Sequence, residues 1–99
     1  MNTILEETIS ELGFQNLEDF IAIKLIEELQ KKIDKYQNQI VAYQKKYEMA
    51  YSDFSKKYLS IKEIEDFEKE DDGSEWEWNL SAITILQKKI ELVKNARNH

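Results

Sequence analysis

The chain has no cysteine and no proline, two glycines (Gly13 and Gly73), and one histidine, His99, at its last position. Without cysteine, disulfides and thiolate metal sites are excluded, and a reducing cytoplasm is the expected location. Without proline, nothing interrupts long helices except at the two glycines. A lone terminal histidine gives no zinc-type spacing, and there is no glycine-rich phosphate loop. Carboxylates are plentiful, but they lie in a polar run that would not raise a pKa as general acid work demands. The chain is therefore expected not to be an enzyme, and to carry no cofactor and no metal. A long apolar run is also missing. The start, MNTILEETISEL, lacks a basic flank, so neither a signal peptide nor a membrane span is expected.

What is present is a seven-residue rhythm. Ile26, Ile33, Ile40, Tyr47, Phe54 and Ile61 recur every seventh residue, and Leu29, Tyr36, Tyr43 and Ala50 fill the intermediate position until Lys57 breaks the series. Two interleaved series of this kind make one apolar seam on a helix, which needs another helix to cover it. Ninety-nine residues make one small domain with a thin core. The expected fold is all-α. It is an antiparallel helical hairpin or coiled coil with a short N-terminal helix, assembling into a dimeric helical bundle.

Local signals divide residues 1–99 as follows. Thr3-Ile4-Leu5-Glu6 predicts a capping box opening a short helix over 3–13, with Gly13 as its left-handed C-terminal cap. Asn16 predicts the N-cap of a long helix over 17–48, supported by Glu18 and Asp19 at its positive end. Around Met49–Tyr51 the pattern favours a turn, although the seven-residue register runs through it. A short helical segment over 52–67 follows. The composition of 68–75 predicts an acidic linker, and Ser74-Glu75-Trp76-Glu77 a second capping box. The last helix, 75–94, presents Trp76, Leu80, Ile83, Leu86, Ile90 and Val93 on one stripe. The seam of the hairpin or oligomer is assigned to Ile26, Leu29, Ile33, Tyr36, Ile40, Tyr43, Tyr47, Trp76, Ile83 and Ile90.

Charge is unevenly spread. Net charge is −6, yet residues 63–77 alone carry nine acids against Lys69, while residues 1–23 carry five acids and no Lys or Arg. Direct nucleic-acid binding is disfavoured at both places. Read from Glu68, acids and Gly73 fall at some positions of a calcium loop. Glu68 and Asn79 occupy the positions where aspartate and a clamping glutamate are needed, so the match is poor. Trp76 and Trp78 are two residues apart and cannot share a helix face. If Trp76 anchors the core, Trp78 projects elsewhere. Four lysine pairs (Lys31-Lys32, Lys45-Lys46, Lys56-Lys57 and Lys88-Lys89) suit a solvated helix face.

Several short motifs follow one another in a set order. Lys46-Tyr47-Glu48-Met49 closes the long helix, and Ser52-Asp53-Phe54 lies in the segment after it. An acidic run, a Trp-Glu helix start (Trp76-Glu77 or Glu75-Trp76) and a Leu/Ile-rich final helix complete the series. In these features residues 25–94 resemble small coiled-coil proteins of archaeal and bacterial, notably cyanobacterial, toxin–antitoxin operons. Residues 3–13 lie outside the resemblance, and no DNA-binding module is recognisable. The resemblance implies a protein that binds and neutralises a basic, ribonuclease-type toxin by laying an acidic segment over its cationic cleft. The partner-binding residues are then Glu63, Asp66, Phe67, Glu70, Asp71, Asp72, Glu75, Glu77 and Trp78. The other reading is a structural coiled-coil oligomerisation or adaptor subunit with no inhibitory role. A third, nucleic-acid binding through the lysine pairs, is the weakest.

Overall fold

The computed structural model describes residues 2–59 and 66–97. Every regular element among them is helical, so the fold is all-α. Helix α1 spans Thr3–Glu11. Its N-cap is Asn2, whose side chain accepts from the Ile4 amide at 2.9 Å. The expected capping box on Thr3 does not form, because Asn2 caps first and Thr3 already lies inside the helix. At the other end Gly13 adopts φ 93°, the left-handed conformation the sequence predicts. The Gly13 amide donates to Ser10 and the Phe14 amide to Ile9, which together make a Schellman motif.

Helix α2 spans Leu17–Tyr47. Asn16 caps it, accepting from the Asp19 amide at 2.8 Å. The helix stops at Tyr47 because Glu48 takes φ 56° and Ala50 is extended, so the chain turns and the seven-residue register does not continue as one helix. Helix α3 spans Tyr51–Phe54 and runs into a single π-helical turn, Ser55–Leu59. Of the expected 52–67 segment, residues 60–65 lie outside the described residues.

Helix α4 spans Phe67–Arg97. The expected linker at 68–75 is therefore helical, and the second capping box at Ser74 is not a helix start. The cap is Asp66: one carboxylate oxygen accepts from the Lys69 amide at 3.1 Å, and the other pairs with the Lys69 ammonium at 2.7 Å. Glu68 and Glu70 in the first turn face the positive end of the helix dipole, where carboxylates favour helix over coil. Gly73 is buried within this helix and is not a loop glycine.

Packing divides the chain into two compact units, one of Met1–Lys32 with Leu86–His99 and one of Ile33–Ile85; α2 and α4 contribute to both. In the first unit Ile9, Ala22 and Ile90 are buried, Ile26 and Leu29 half-buried. Phe14 meets Phe20 edge-on with centroids 5.1 Å apart. Asp19, itself buried, accepts from the Arg97 guanidinium at 2.5 Å, tying the start of α2 to the end of α4. In the second unit Ile33, Ile40, Phe54, Trp76 and Ile83 are buried, with Tyr36, Tyr43 and Tyr47 half-buried beside them.

One expected core position moves. Leu80 is 38% exposed, while Asn79 is completely buried. A seam on α4 alternates steps of four and three residues, so it runs Asp72, Trp76, Asn79, Ile83, Leu86, Ile90, Val93. Taking the more apolar Leu80 in place of Asn79 breaks that alternation.

Candidate functional site

From Phe67 onward the acidic run forms the first three turns of α4, and its carboxylates divide between two faces. One face meets α2. The Lys46 ammonium bonds Glu68 and Asp72, each at 2.6 Å, and the Tyr47 hydroxyl donates to the same Asp72 carboxylate. The Tyr43 hydroxyl donates to Glu75 and the Tyr51 hydroxyl to Glu77 at 3.2 Å. Each tyrosine lays its ring on apolar surface and leaves a hydroxyl at the edge for a carboxylate.

These pairs set the local protonation. Burial raises the Tyr47 hydroxyl, helped by the Asp72 carboxylate that accepts from it, to about 12. Burial and the Glu75 carboxylate likewise raise Tyr43, and burial with the Glu77 charge raises Tyr51. For Asp72, burial opposes ionisation, but the hydrogen bonds from Lys46 and Tyr47 outweigh it and hold the carboxyl below its ordinary value. At neutral pH the tyrosines are therefore donors and Asp72 is an anion.

Beneath this polar layer lies a cluster of rings centred on Trp76, which is fully buried. Tyr43 and Tyr47 stack on it at 5.6 and 6.3 Å, while Phe54 and Tyr51 approach at 5.2 and 5.5 Å. The π-helical turn keeps Tyr58 on Phe54, with centroids 5.3 Å apart, and the Lys69 ammonium lies 4.8 Å from the Tyr58 ring centroid. The acidic start of α4 is thus held against α2 at several independent points.

The other face is open. Phe67, Glu70, Asp71, Ser74, Trp78 and Ile85 follow one another at helical spacing and share one line on α4. All are exposed; Phe67 is 70% and Trp78 56% accessible. Trp78 is braced edge-on by Tyr36, centroids 5.1 Å apart, which fixes the indole without covering it.

The sequence-predicted partner residues therefore separate. Phe67, Glu70, Asp71 and Trp78 lie together on the open face. Asp72, Glu75 and Glu77 bond tyrosines, and Asp66 caps the helix. Glu63 lies outside the described residues. The poor calcium loop over Glu68–Asn79 is helical, and among the described residues no group of three or more acids or histidines is placed to hold a metal ion. No helix of the described residues is long and apolar enough to cross a membrane.

Two features escaped the sequence reading. One is Asp66 as a cap, hidden among neighbouring acids; its signal is its position directly ahead of the apolar Phe67. The other is Asn79. Its side-chain oxygen and nitrogen, like the Trp76 indole nitrogen, are buried and have no hydrogen-bond partner among the described residues. No family model, curated protein or solved structure matches the chain.

Proposed function

We propose that the chain is a non-catalytic, antitoxin-like inhibitor. It folds as an antiparallel helical hairpin, assembles as a dimer, and neutralises a basic, ribonuclease-type protein through the open face of α4. The hairpin is supported by the order of the contacts: Tyr36 pairs with Trp78, Tyr43 with Glu75 and Tyr47 with Asp72, so one helix is read upward as the other is read downward.

The observation that carries the proposal is Trp78: a braced, 56% exposed indole on a helix among carboxylates. A cleft that binds RNA phosphates is cationic. Glu70 and Asp71 attract such a cleft and speed encounter, while Trp78 and Phe67 supply the desolvated anchors that slow release. Asp72, Glu75 and Glu77 serve instead to hold the helix in position. Inhibition is by occupancy, with no bond made or broken.

The test is co-expression with the protein encoded beside it. The parent chain should co-purify with a small basic partner and suppress its ribonuclease activity. Glu70→Lys with Asp71→Lys, and separately Trp78→Ala, should abolish capture while helical circular dichroism is retained. Undiminished capture by both variants overturns the open face of α4 as the binding surface, and a parent that captures no basic partner overturns the inhibitor reading and leaves the adaptor role.

A further inference from the structure

The first unit leaves apolar surface uncovered on three helices. In α1 only Ile9 is buried, while Ile4, Leu5 and Leu12 are 53–66% exposed. A nine-residue helix is too short to persist on its own in water, so it depends on packing that Ile9 alone barely supplies. In the same unit Ile21, Ala22 and Leu25 of α2 and Val93 and Ala96 of α4 line an open groove of about 380 Å³, with Glu18 and Arg97 at its charged edge. Ile21 and Leu25 are roughly half exposed, and Leu92, one turn before Ala96, is 63% exposed.

The charges of these parts are complementary. Helix α1 carries Glu6, Glu7 and Glu11 and no basic residue, a net −3. Residues 86–97 of α4 carry Lys88, Lys89, Lys94 and Arg97 against Glu91, a net +3. Arg97 is already bonded to Asp19 and Lys94 pairs with Glu91 at 3.5 Å, while Lys88 and Lys89 are exposed.

We infer that the groove between α2 and α4 in this unit receives the α1 helix of a second copy of the same chain. A two-fold interface sets one patch against its own image, so each copy's α1 enters the other's groove and the acid-to-base match is made twice. Leu5 and Leu12 cover Ile21, Leu25 and Val93, while Glu6, Glu7 and Glu11 lie along Lys88 and Lys89. Ile4, Leu5, Leu12, Ile21, Leu25 and Leu92 together offer roughly 600 Å² of side chain, a large part of the ~800 Å² per partner that a stable dimer buries. The inference rests on the dimeric part of the proposed function and names its surface.

Sedimentation velocity of the full chain tests it with two charge-reversal variants, Glu6→Lys/Glu7→Lys/Glu11→Lys and Lys88→Glu/Lys89→Glu. The parent should be a dimer that loosens as salt is raised. Each variant alone sets like charges against each other and should self-associate roughly a hundredfold more weakly. Mixed one to one, the two variants restore both matches and should form a heterodimer, which also shows that both remain folded. Leu5→Ser with Leu12→Ser should yield monomer with helicity otherwise retained. A monomeric parent overturns the dimer and this surface together. A dimeric parent whose charge variants stay dimeric, or fail to re-pair on mixing, overturns this surface and leaves the dimer to another. Loss of toxin capture with the dimer intact bears on the open face of α4 alone.

Discussion

The two packing units draw on the same pair of long helices and close themselves to different degrees. In Ile33–Ile85 the side chains facing inward are largely rings: Tyr36, Tyr43, Tyr47, Phe54 and Trp76. A large ring buries roughly 150–250 Å², so a few of them close a core across two thin helices. Their hydroxyls then bond the carboxylates of α4, and the polar edge becomes part of the packing. In the other unit one ring pair, Phe14 with Phe20, joins inward side chains that are otherwise aliphatic. Ile9, Ala22 and Ile90 are buried there, and Leu5, Leu12, Leu25 and Leu92 are exposed. Rings close the second unit, while the first leaves several aliphatic side chains exposed.

The largest effect that would break this contrast comes from the hub of the ring cluster. Trp76 is fully buried and touched by four other rings. Trp76→Ala should destabilise the protein by about 3–5 kcal/mol, the usual cost of emptying a large aromatic site. Urea unfolding followed by circular dichroism measures it. Ile90→Ala in the thinner unit should cost less, about 2–3 kcal/mol. Equal losses would mean the two units are closed alike.

Next in size is a change expected to stabilise. Asn79 occupies a core position of α4 with both amide atoms buried and unpaired among the described residues. Removing such a group in favour of a hydrocarbon of similar volume should raise stability by about 1–3 kcal/mol. Asn79→Leu should shift the urea midpoint upward. A downward shift would show that the amide is satisfied in solution. A single polar residue at a seam position also specifies register and partner number at a cost in stability. The same variant should therefore broaden the distribution of oligomers seen by sedimentation.

Much of the helical architecture was legible because its signals are local. Asn16 and Gly13 act through the backbone groups next to them, and the Ile/Tyr rhythm of α2 needs only the period of a helix. The acidic stretch was misread because composition reports solvation and not conformation. Glu and Lys form helices readily, and the stretch becomes the start of α4 once Asp66 caps it, Lys46 neutralises part of its inner face and the Tyr43 and Tyr47 hydroxyls donate to the carboxylates there. Those partners lie 22 to 32 residues away, beyond any local window. For the same reason the sequence could group Asp71 with Asp72 but not tell that one faces water and the other a lysine and a tyrosine.

Asp72 offers a smaller test with a definite sign. Its folded pKa is lowered, so its contribution is complete above the ordinary carboxylate value near 3.9 and is lost as pH falls through the folded value. Tyr47 acts at the opposite end: its folded value is raised to about 12, so its contribution holds below the ordinary value near 10 and is lost as pH rises toward 12. Asp72→Asn should cost about 1–2 kcal/mol at pH 7 and progressively less as pH is lowered from about 4 toward 2. The measurement is the urea midpoint across that range. A difference undiminished at its acid end would mean that shape, not charge, makes Asp72 matter.

The smallest effect lies at the turn that ends α2 and begins the ring-rich segment. Glu48 holds φ 56°, a left-handed conformation that crowds a Cβ against the following carbonyl at a cost of about 1–2 kcal/mol. The position just past a helix end is where glycine ordinarily sits. Glu48→Gly removes the crowding, and the greater freedom of glycine in the unfolded chain takes back about 0.5–1 kcal/mol. The net should be a gain of about 0.5–1 kcal/mol. It should also appear without any change in the Tyr47–Asp72 bond, since that contact is set by the helix before the turn. Thermal unfolding of Glu48→Gly beside the parent measures the gain. A loss would show that the Glu48 side chain makes a contact worth more than the backbone strain, and that the turn is held by its side chains as the ring cluster is.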